Sequence, residues 1–217
     1  MDWEPLKYIS CPARRRRRRM EGILVVEKVG GKSKVTRCFS RYPLKFIVPS
    51  KVASSKTDAV WIYTLSYGGG IVSGDCIGCS VTVGEACTAV LTTQASTKAR
   101  VGSHALLAIL PDPVTCFSTA RYTQKQIFRV ASDSSLVIVD WLTSGRHECG
   151  EKWDFDLYKS TNNIFLEGSE PLFLDSHTSK EVYAVKQVLL EKGSSISVAD
   201  RMQEYQVIVM VVIMGYV

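Results

Sequence analysis

The chain has 217 residues, of which 46% are hydrophobic and 22% charged, and this composition is typical of one soluble globular domain. A wholly disordered chain is excluded, because such chains lack this proportion of apolar residues. The net charge is +6, but about +4 of it lies in residues 1–22, so the rest of the chain does not predict a nucleic-acid-binding surface.

The cysteines and the most apolar segment both favour a soluble protein of the cytoplasm. Seven cysteines, an odd number, lie along the chain without a pattern, and no apolar secretion signal precedes them, so reduced thiols are predicted. Residues 206–217 are strongly apolar, but a membrane-spanning helix needs about 20 residues. We therefore expect a buried strand there and no membrane anchor.

Residues 1–22 differ from the rest in composition. The six consecutive arginines at positions 14–19 repel one another, so a disordered tail is predicted. An RNA-binding adaptor that works through these arginines is one alternative function, although nucleic acid is not the partner that we expect.

Short strands are predicted through most of residues 23–217, which we take as a single β domain. Gly30 and Gly31 separate two alternating segments and indicate a two-residue hairpin. The predicted strands are residues 23–29, 34–39, 44–48, 60–65, 76–83, 87–92, 104–110, 122–130, 135–142, 152–158, 163–167 and 172–174. In residues 152–158 the alternation is strict and places Trp153, Phe155 and Leu157 on one face.

Helix signals are confined to the last part of the chain. Residues 196–205 show helical spacing, with Ser197 as a possible N-cap and Asp200 three positions later. Residues 181–191 fit a helix by apolar spacing and a strand by valine content. About a dozen strands with one or two late helices predict a mainly β fold, but periodicity does not distinguish a sandwich, a barrel and a β-solenoid.

A glycine-rich turn between two predicted strands ends at an acid, Asp75. Its glycines at positions 68, 69, 70 and 74 do not have the spacing of a dinucleotide-binding loop, a P-loop or a nucleophile elbow. The three histidines of the chain do not accompany a serine motif. The sequence therefore predicts neither a nucleotide site nor a hydrolase, and we do not expect an enzyme.

Two clusters contain residue types that bind metals. Cys76 and Cys79 form a single C-x-x-C pair, and without a second pair we expect two small side chains of the core. If residues 147–151 are extended, His147, Cys149 and Glu151 share one face. Imidazole, thiolate and carboxylate together suit Ni²⁺, whereas an exposed polar loop is the alternative interpretation.

Six motifs in a fixed order resemble the urease accessory protein D family, also called UreD or UreH. The family signature Gly-Gly-Gly-x-Val-x-Gly-Asp is matched by Gly68, Gly69, Gly70, Gly74 and Asp75. A following Thr-Thr-x-x-x-Thr-Lys element is matched by Thr92, Thr93, Thr97 and Lys98. Residues 111–117, 120–124, 140–146 and 150–155 are similar to the plant form of the family. The resemblance runs from about residue 25 to about residue 210.

The resemblance implies a scaffold and not a catalyst. It implies stacked irregular sheets of β-helix or sandwich character, with the helices on one side, in a domain shortened at its C-terminus. It further implies that the protein binds apo-urease and, with accessory proteins F and G, of which G is a GTPase, enables nickel insertion into urease. Nickel is then a transported ion, and no nucleotide binds to this chain.

Family-type charged residues allow two interpretations that the sequence does not separate. Asp75, Asp140 and Glu151, joined by His147 and Cys149, are the candidates for lining a metal passage. Alternatively, Arg146 pairs with one of the acids in a structural salt bridge, because charges near a core need partners. Lys98 has the same two possible roles. A β-rich interaction module with no metal role is the alternative function.

Overall fold

The computed structural model describes residues 22–50, 57–68, 70–72, 74–92, 96–167, 182–192 and 197–215. The predicted mainly β fold is confirmed. The predicted tail, residues 1–22, lies outside the described residues except for Gly22, with which the first strand begins. The strands are β1 (Gly22–Val29), β2 (Lys32–Ser40), β3 (Leu44–Ile47), β4 (Ala59–Ser66), β5 (Gly78–Val83), β6 (Thr88–Thr92), β7 (Ser96–Val101), β8 (Leu106–Ile109), β9 (Val114–Thr115), β10 (Arg121–Ala131), β11 (Ser135–Thr143), β12 (Leu157–Glu167), β13 (Val182–Glu191) and β14 (Val207–Met214).

The described strands form two mixed sheets. The first sheet has the order β13-β12-β10-β7-β5-β1-β2, and the second has the order β14-β11-β8-β6-β4-β3, with β9 beside β11. The central pairs are parallel, as in β5 with β7, β7 with β10, β4 with β6 and β6 with β8. The outer strands β2, β3, β13 and β14 pair antiparallel with their neighbours.

From β4 to β12 the chain passes repeatedly from one sheet to the other. Strands β4, β6, β8 and β11 add to the second sheet, and β5, β7, β10 and β12 add to the first. Each passage places a new strand parallel to the preceding strand of the same sheet. The result is a stack of two sheets with β-helix character, closed at its ends by antiparallel strands.

The space between the sheets contains two apolar clusters. The larger cluster draws on both sheets and includes Leu24, Ile62, Phe128 and Ile138, all fully buried. The smaller cluster comprises Cys116, Leu142, Trp153, Phe155, Tyr158 and Val198. Both clusters use the inward side chains of alternating strands, because successive residues of a strand point to opposite faces.

Residues 152–158 do not form the predicted strand. Trp153 has a left-handed backbone, with φ of 57°, which interrupts the alternation, and β12 begins only at Leu157. As a result Tyr158, and not Leu157, packs with Trp153 and Phe155 in the smaller cluster.

The predicted late helix is confirmed but is short, at Val198–Met202 (α1). The side chain of Ser197 caps it by accepting a hydrogen bond from the Asp200 backbone N–H at 3.0 Å. Gln203, with φ of 47°, ends it. Residues 182–191 form a strand, so the helical alternative for this segment is wrong.

Residues 207–214 form a strand, β14, but the prediction that this strand is buried is wrong. Its residues alternate between exposed and partly buried, because only inward side chains such as Val212 and Met214 pack on the larger cluster. No helix in the described part of the chain is both long and apolar enough to cross a bilayer. The six described cysteines, Cys38, Cys76, Cys79, Cys87, Cys116 and Cys149, are free thiols.

Candidate functional site

A layer of polar side chains separates the two apolar clusters inside the stack. It lies at the middle of β10, β11 and β12, where the inward positions change from apolar to polar and back. Its six members are at most 3% exposed: Gln124, Gln126, Asp140, Tyr158, Ser160 and Asn162. Gln124 pairs with Ser160, and Gln126 with Asn162, across the parallel β10–β12 ladder. Asp140 faces them from the second sheet.

Asp140 accepts hydrogen bonds from three side chains of β12. Tyr158 Oη donates to Oδ1 at 3.2 Å, and Asn162 Nδ2 donates to Oδ2 at 3.0 Å. Ser160 Oγ also donates to Oδ2. These bonds join the two sheets and hold the carboxylate in one place, because side chains at i, i+2 and i+4 of one strand share a face.

The buried carboxylate has neutral partners only. None of the ion pairs within the described ranges involves Asp140. Burial, with a further contribution from the Asp140 charge, raises the pKa of Tyr158 far above its ordinary value. The phenol therefore stays protonated and donates a hydrogen bond to Asp140. Burial also raises the pKa of the nearby Cys116 thiol to about 12, which makes a thiolate ligand unfavourable at neutral pH.

The layer also contains an acceptor without a donor. Asn162 Oδ1 is buried and has no hydrogen-bond partner among the described residues. A buried polar atom without a hydrogen-bond partner lowers the stability of the folded protein by about 1–3 kcal/mol. Binding of a water molecule or a cation beside Asn162 Oδ1 would therefore be favourable. Together with Asp140, this oxygen gives the layer a negative, oxygen-rich character within an apolar core.

Arg146 and Glu151 form an ion pair within a surface loop next to the smaller cluster. Arg146 Nε donates to Glu151 Oε2 at 3.1 Å, and Nη2 donates to Oε1. The hydrogen bond from Arg146 lowers the pKa of Glu151 to about 2. The guanidinium also stacks on Phe117, with its carbon 4.0 Å from the ring centroid. Of the two interpretations of the charged residues, the ion pair agrees with the structural one, in which Arg146 pairs with an acid.

His147 and Cys149 lie in this loop but do not join Glu151 in a metal centre. Residues His147–Cys149 form a 3₁₀ turn, so the extended geometry that would align His147, Cys149 and Glu151 is wrong. His147 Nε2 lies 2.8 Å from Ser144 Oγ, and Cys149 is exposed. No group of three or more His, Cys, Asp or Glu side chains in the described part of the chain is arranged to hold a metal ion.

The glycine-rich turn is an exposed loop that connects β4 to β5. Gly68 and Gly74 have φ of 91° and 90°, a conformation that favours glycine. Asp75 closes the turn, because its Oδ2 accepts from the Val72 N–H at 3.1 Å and its own N–H donates to the Val72 carbonyl at 3.0 Å. Gly70 is exposed, and Gly69 lies outside the described residues.

The remaining motif residues occupy strand positions. Thr92 ends β6, and its buried hydroxyl lacks a hydrogen-bond partner within the described ranges, whereas Thr93 lies outside them. Lys98 is on β7, beside Ile127 of β10. Cys79 is buried in the larger cluster, but Cys76 is exposed, so the prediction of two core side chains holds for only one of the pair.

The sequence marks Asp140 as a candidate but not the polar residues around it. Gln124, Gln126, Ser160 and Asn162 were not recognised, although each stands at an inward position of an alternating strand. The run Tyr-x-Gln-x-Gln-x-Phe-x-Val on one face of residues 122–130 is the signal that could have found the two glutamines.

Comparison with known proteins places these features in a family. The family model described as UreD urease accessory protein matches residues 20–215. The chain belongs to the urease accessory protein D family. Urease accessory protein D of Arabidopsis thaliana is 59% identical over 209 residues, covering 89% of this chain and 67% of the relative. The protein of the same name from Oryza sativa subsp. indica is 54% identical, covering 89% and 64%. Urease accessory protein UreD of Sorangium cellulosum is 38% identical over 184 residues, covering 79% and 57%.

UreD membership supports a role in urease maturation. The match contains the polar layer, the loop with Arg146 and Glu151, and the glycine-rich turn. The chain spans about two thirds of the length of the plant UreD proteins that it matches.

Proposed function

We propose that this chain is a cytoplasmic, non-enzymatic scaffold of urease maturation. In this role it binds apo-urease and, together with accessory proteins F and G, enables nickel insertion into the urease active site. Family membership supports the urease role. The GTPase activity is expected to reside in protein G, and nickel is the cargo.

The polar layer around Asp140 carries the proposal of nickel transport. A carboxylate without a cationic partner, next to the open acceptor Asn162 Oδ1, attracts a divalent ion into an otherwise apolar interior. Its donors are oxygens, which hold Ni²⁺ more weakly than imidazole or thiolate does. Weak ligands suit an ion that must leave again. Asp140, Ser160 and Asn162 would contact the ion in transit.

Asp75 and Glu151 are proposed for metal passage only if their present contacts open. Asp75 caps its own turn, and both oxygens of Glu151 bind Arg146. His147 and Cys149 lie at the surface of the same loop, where His147 must first release Ser144. These four residues lie in two loops, the glycine-rich turn and the loop after β11. Of the five candidates, only Asp140 lies in the interior between the sheets.

One observation favours the alternative function, a protein-interaction module without a metal role. The outer face of the second sheet exposes large apolar side chains, among them Trp61 at 46% and Val211 at 54%. Such a surface binds protein whatever happens in the interior. The two functions differ in whether Asp140 matters once the complexes have formed.

Reconstitution with purified components tests the proposal. Apo-urease, Ni²⁺, GTP and proteins F and G are combined with or without this chain, and urease activation and co-purification are measured. We expect activation only with the chain present, and no GTP turnover by the chain alone. Asp140→Asn should reduce activation several-fold without loss of binding, whereas Glu204→Gln, which removes an exposed charge, should not. Binding without any activation would favour the interaction module.

A further inference from the structure

The outer face of the first sheet is strongly basic. On β7, β10 and β12 the inward side chains, such as Ala99, Phe128 and Ile164, are buried in the larger cluster, so the alternate side chains point outward. The described outward positions of these strands carry one acid, Glu167. They carry six basic residues: Lys98, Arg100, Arg121, Lys125, Arg129 and Lys159. Because about +4 of the net charge of +6 lies in residues 1–22, the positive charge of the remaining chain is concentrated on this face.

Two of the basic residues lie opposite each other in the sheet. Arg100 of β7 pairs with Arg129 of β10 in the parallel ladder, and neighbouring strands are about 4.8 Å apart. Like charges directly opposite each other on neighbouring strands destabilise a sheet. Folded proteins break such local rules at functional sites, where binding offsets the loss of stability. The pair therefore indicates that this face binds an anionic partner.

Contacts within the sheet neutralise only part of this charge. Arg100 Nε donates to Glu167 Oε2 at 3.2 Å, but the Arg100 side chain is still 64% exposed. The Arg129 guanidinium lies over the Phe165 ring, with its carbon 5.2 Å from the ring centroid. A guanidinium that stacks through its plane keeps the N–H donors of its edge for a carboxylate.

Lys125 and Lys159 have no carboxylate partner within the described ranges. They take part in none of the ion pairs there. They stand on adjacent strands, Lys125 opposite Thr161 and Lys159 opposite Thr123. The threonine hydroxyls add hydrogen-bond donors for an oxygen anion. This part of the face therefore offers cations and neutral donors, and a partner would have to bring the carboxylates.

The face is large enough for a stable protein interface. The six neighbouring strands from β2 to β12 present on the order of 800 Å² at the usual strand spacing. Each partner in a standard protein–protein interface contributes about 800 Å². A surface of one sign also attracts an oppositely charged partner over a distance and increases the rate of association.

The composition of the face favours an acidic protein over a nucleic acid. Single-stranded nucleic acid binds to basic surfaces that also present aromatic rings for base stacking. Among the described outward positions of β7, β10 and β12, Phe165 is the one aromatic residue, and Arg129 covers its ring. The major groove of a duplex admits a helix or a two-stranded ribbon, whereas this face is a broad sheet.

We infer that the outer face of the first sheet docks a carboxylate-rich surface of a partner protein in urease maturation. The choice of partner rests on the proposed function, and the choice of face rests on the charge pattern. Carboxylates of the partner pair with Arg100 and Arg129 and replace the repulsion between them by attraction. Lys125 and Lys159 add charge pairs that determine which partner binds.

Titration of the full chain with purified apo-urease, protein F and protein G tests the inference. Each protein is titrated separately by calorimetry, at low and at high salt. We expect at least one of them to bind with an affinity that falls at least tenfold at high salt, because salt screens charge pairs between exposed groups. Lys125→Glu with Lys159→Glu should weaken this binding at least tenfold at low salt. It should not lower the free energy of unfolding, since neither lysine has an ion pair to lose.

Arg41→Glu with Lys45→Glu is the matched control. It changes the net charge by the same amount, but Arg41 precedes β3 and Lys45 lies on β3, in the second sheet. Both residues are exposed. This variant should bind the partner as the wild type does. A labelled uridine oligonucleotide is titrated in parallel, and we expect it to bind more weakly than the partner protein.

The outcomes separate this inference from the proposed function. The inference is overturned if Lys125→Glu with Lys159→Glu binds as the wild type does, or if the control loses as much affinity. It is also overturned if the oligonucleotide alone requires the face. If the wild-type chain binds none of the three proteins, the proposed function fails and the inference fails with it.

Discussion

Asp140 joins the two sheets through its hydrogen bonds, and it is also the residue for which we propose a transport role. It accepts from Tyr158, Ser160 and Asn162, so removal of the carboxylate leaves three buried donors without an acceptor. We predict that Asp140→Ala lowers the free energy of unfolding by about 2–4 kcal/mol. Urea denaturation of the purified protein measures this.

Asp140→Asn should be much less destabilising than Asp140→Ala. If the Asn162 amide turns over, its orphaned Oδ1 can accept from the new amide, which replaces one lost hydrogen bond. The asparagine variant therefore separates charge from packing. Equal destabilisation by both substitutions would show that the charge itself holds the layer together.

The Arg146–Glu151 pair predicts an acid-dependent loss of stability. In the folded protein the pKa of Glu151 is lowered from about 4.5 to about 2. A lowered pKa stabilises the folded state above pH 4.5, and this contribution disappears as the pH falls from 4.5 to 2. Glu151→Gln should remove that part of the pH dependence in denaturation measured across this range.

Glu148→Gln is the matched control, because Glu148 is an exposed acid of the same loop and takes part in none of the ion pairs between described residues. The free energy of unfolding of the Glu148→Gln variant should depend on pH as that of the wild type does between pH 4.5 and 2. The structural role of the pair fails if Glu151→Gln also follows that profile.

At the scale of an element, the loop from Ser144 to Trp153 depends on a close backbone approach. Gly145 has φ of 139°, and a Cβ there would lie 3.0 Å from Glu151 Cβ and 3.2 Å from the Glu151 carbonyl oxygen. Gly145→Ala should therefore destabilise the protein by about 1–3 kcal/mol and disturb the Arg146–Glu151 pair.

Gly150→Ala provides the comparison. Gly150 also has a positive φ, of 75°, but a Cβ there meets nothing within 4 Å. Thermal denaturation should show a smaller loss than for Gly145→Ala, since only backbone strain is added. A larger loss for Gly150→Ala would mean that the close contact at Gly145 is easily relieved.

Local signals predicted most strands, and long-range contacts explain the errors. The hairpin at Gly30 and Gly31, the boundaries of β10 and β11 and the Ser197 cap follow from neighbouring residues. The strand predicted at residues 152–158 is wrong because Trp153 turns into the left-handed region, where its indole N–H donates to the Tyr205 carbonyl at 2.9 Å. That partner is 52 residues away and leaves no local pattern.

At the scale of the whole molecule, the passage of the chain between two sheets creates the site. Asp140 was identifiable as a charge in an apolar strand, but its neighbours come from β12, which pairs with β10 and packs across from β11. Strand periodicity predicts which side chains of a strand point inward. It does not predict which other strands those side chains pack against. The polar layer could therefore be inferred only in part from sequence.

The same architecture places the polar layer and the outer face of the second sheet on opposite sides of β11. Asp140 points into the stack, and its neighbours Val139 and Trp141 point outward. Mutations on the outer face should therefore alter assembly, and mutations at Asp140 should alter nickel loading. Double variants are expected to show additive effects if the two faces act independently.

The amount of nickel per urease active site tests directly whether the layer around Asp140 conducts nickel. Urease and proteins F and G are co-expressed with this chain in cells lacking their own D protein, and nickel in purified urease is measured by mass spectrometry. We predict nickel loading with the wild-type chain and with Glu204→Gln. Asp140→Asn should give several-fold less nickel while still co-purifying with urease. Equal nickel loading by Asp140→Asn and the wild type would show that the Asp140 carboxylate does not conduct nickel.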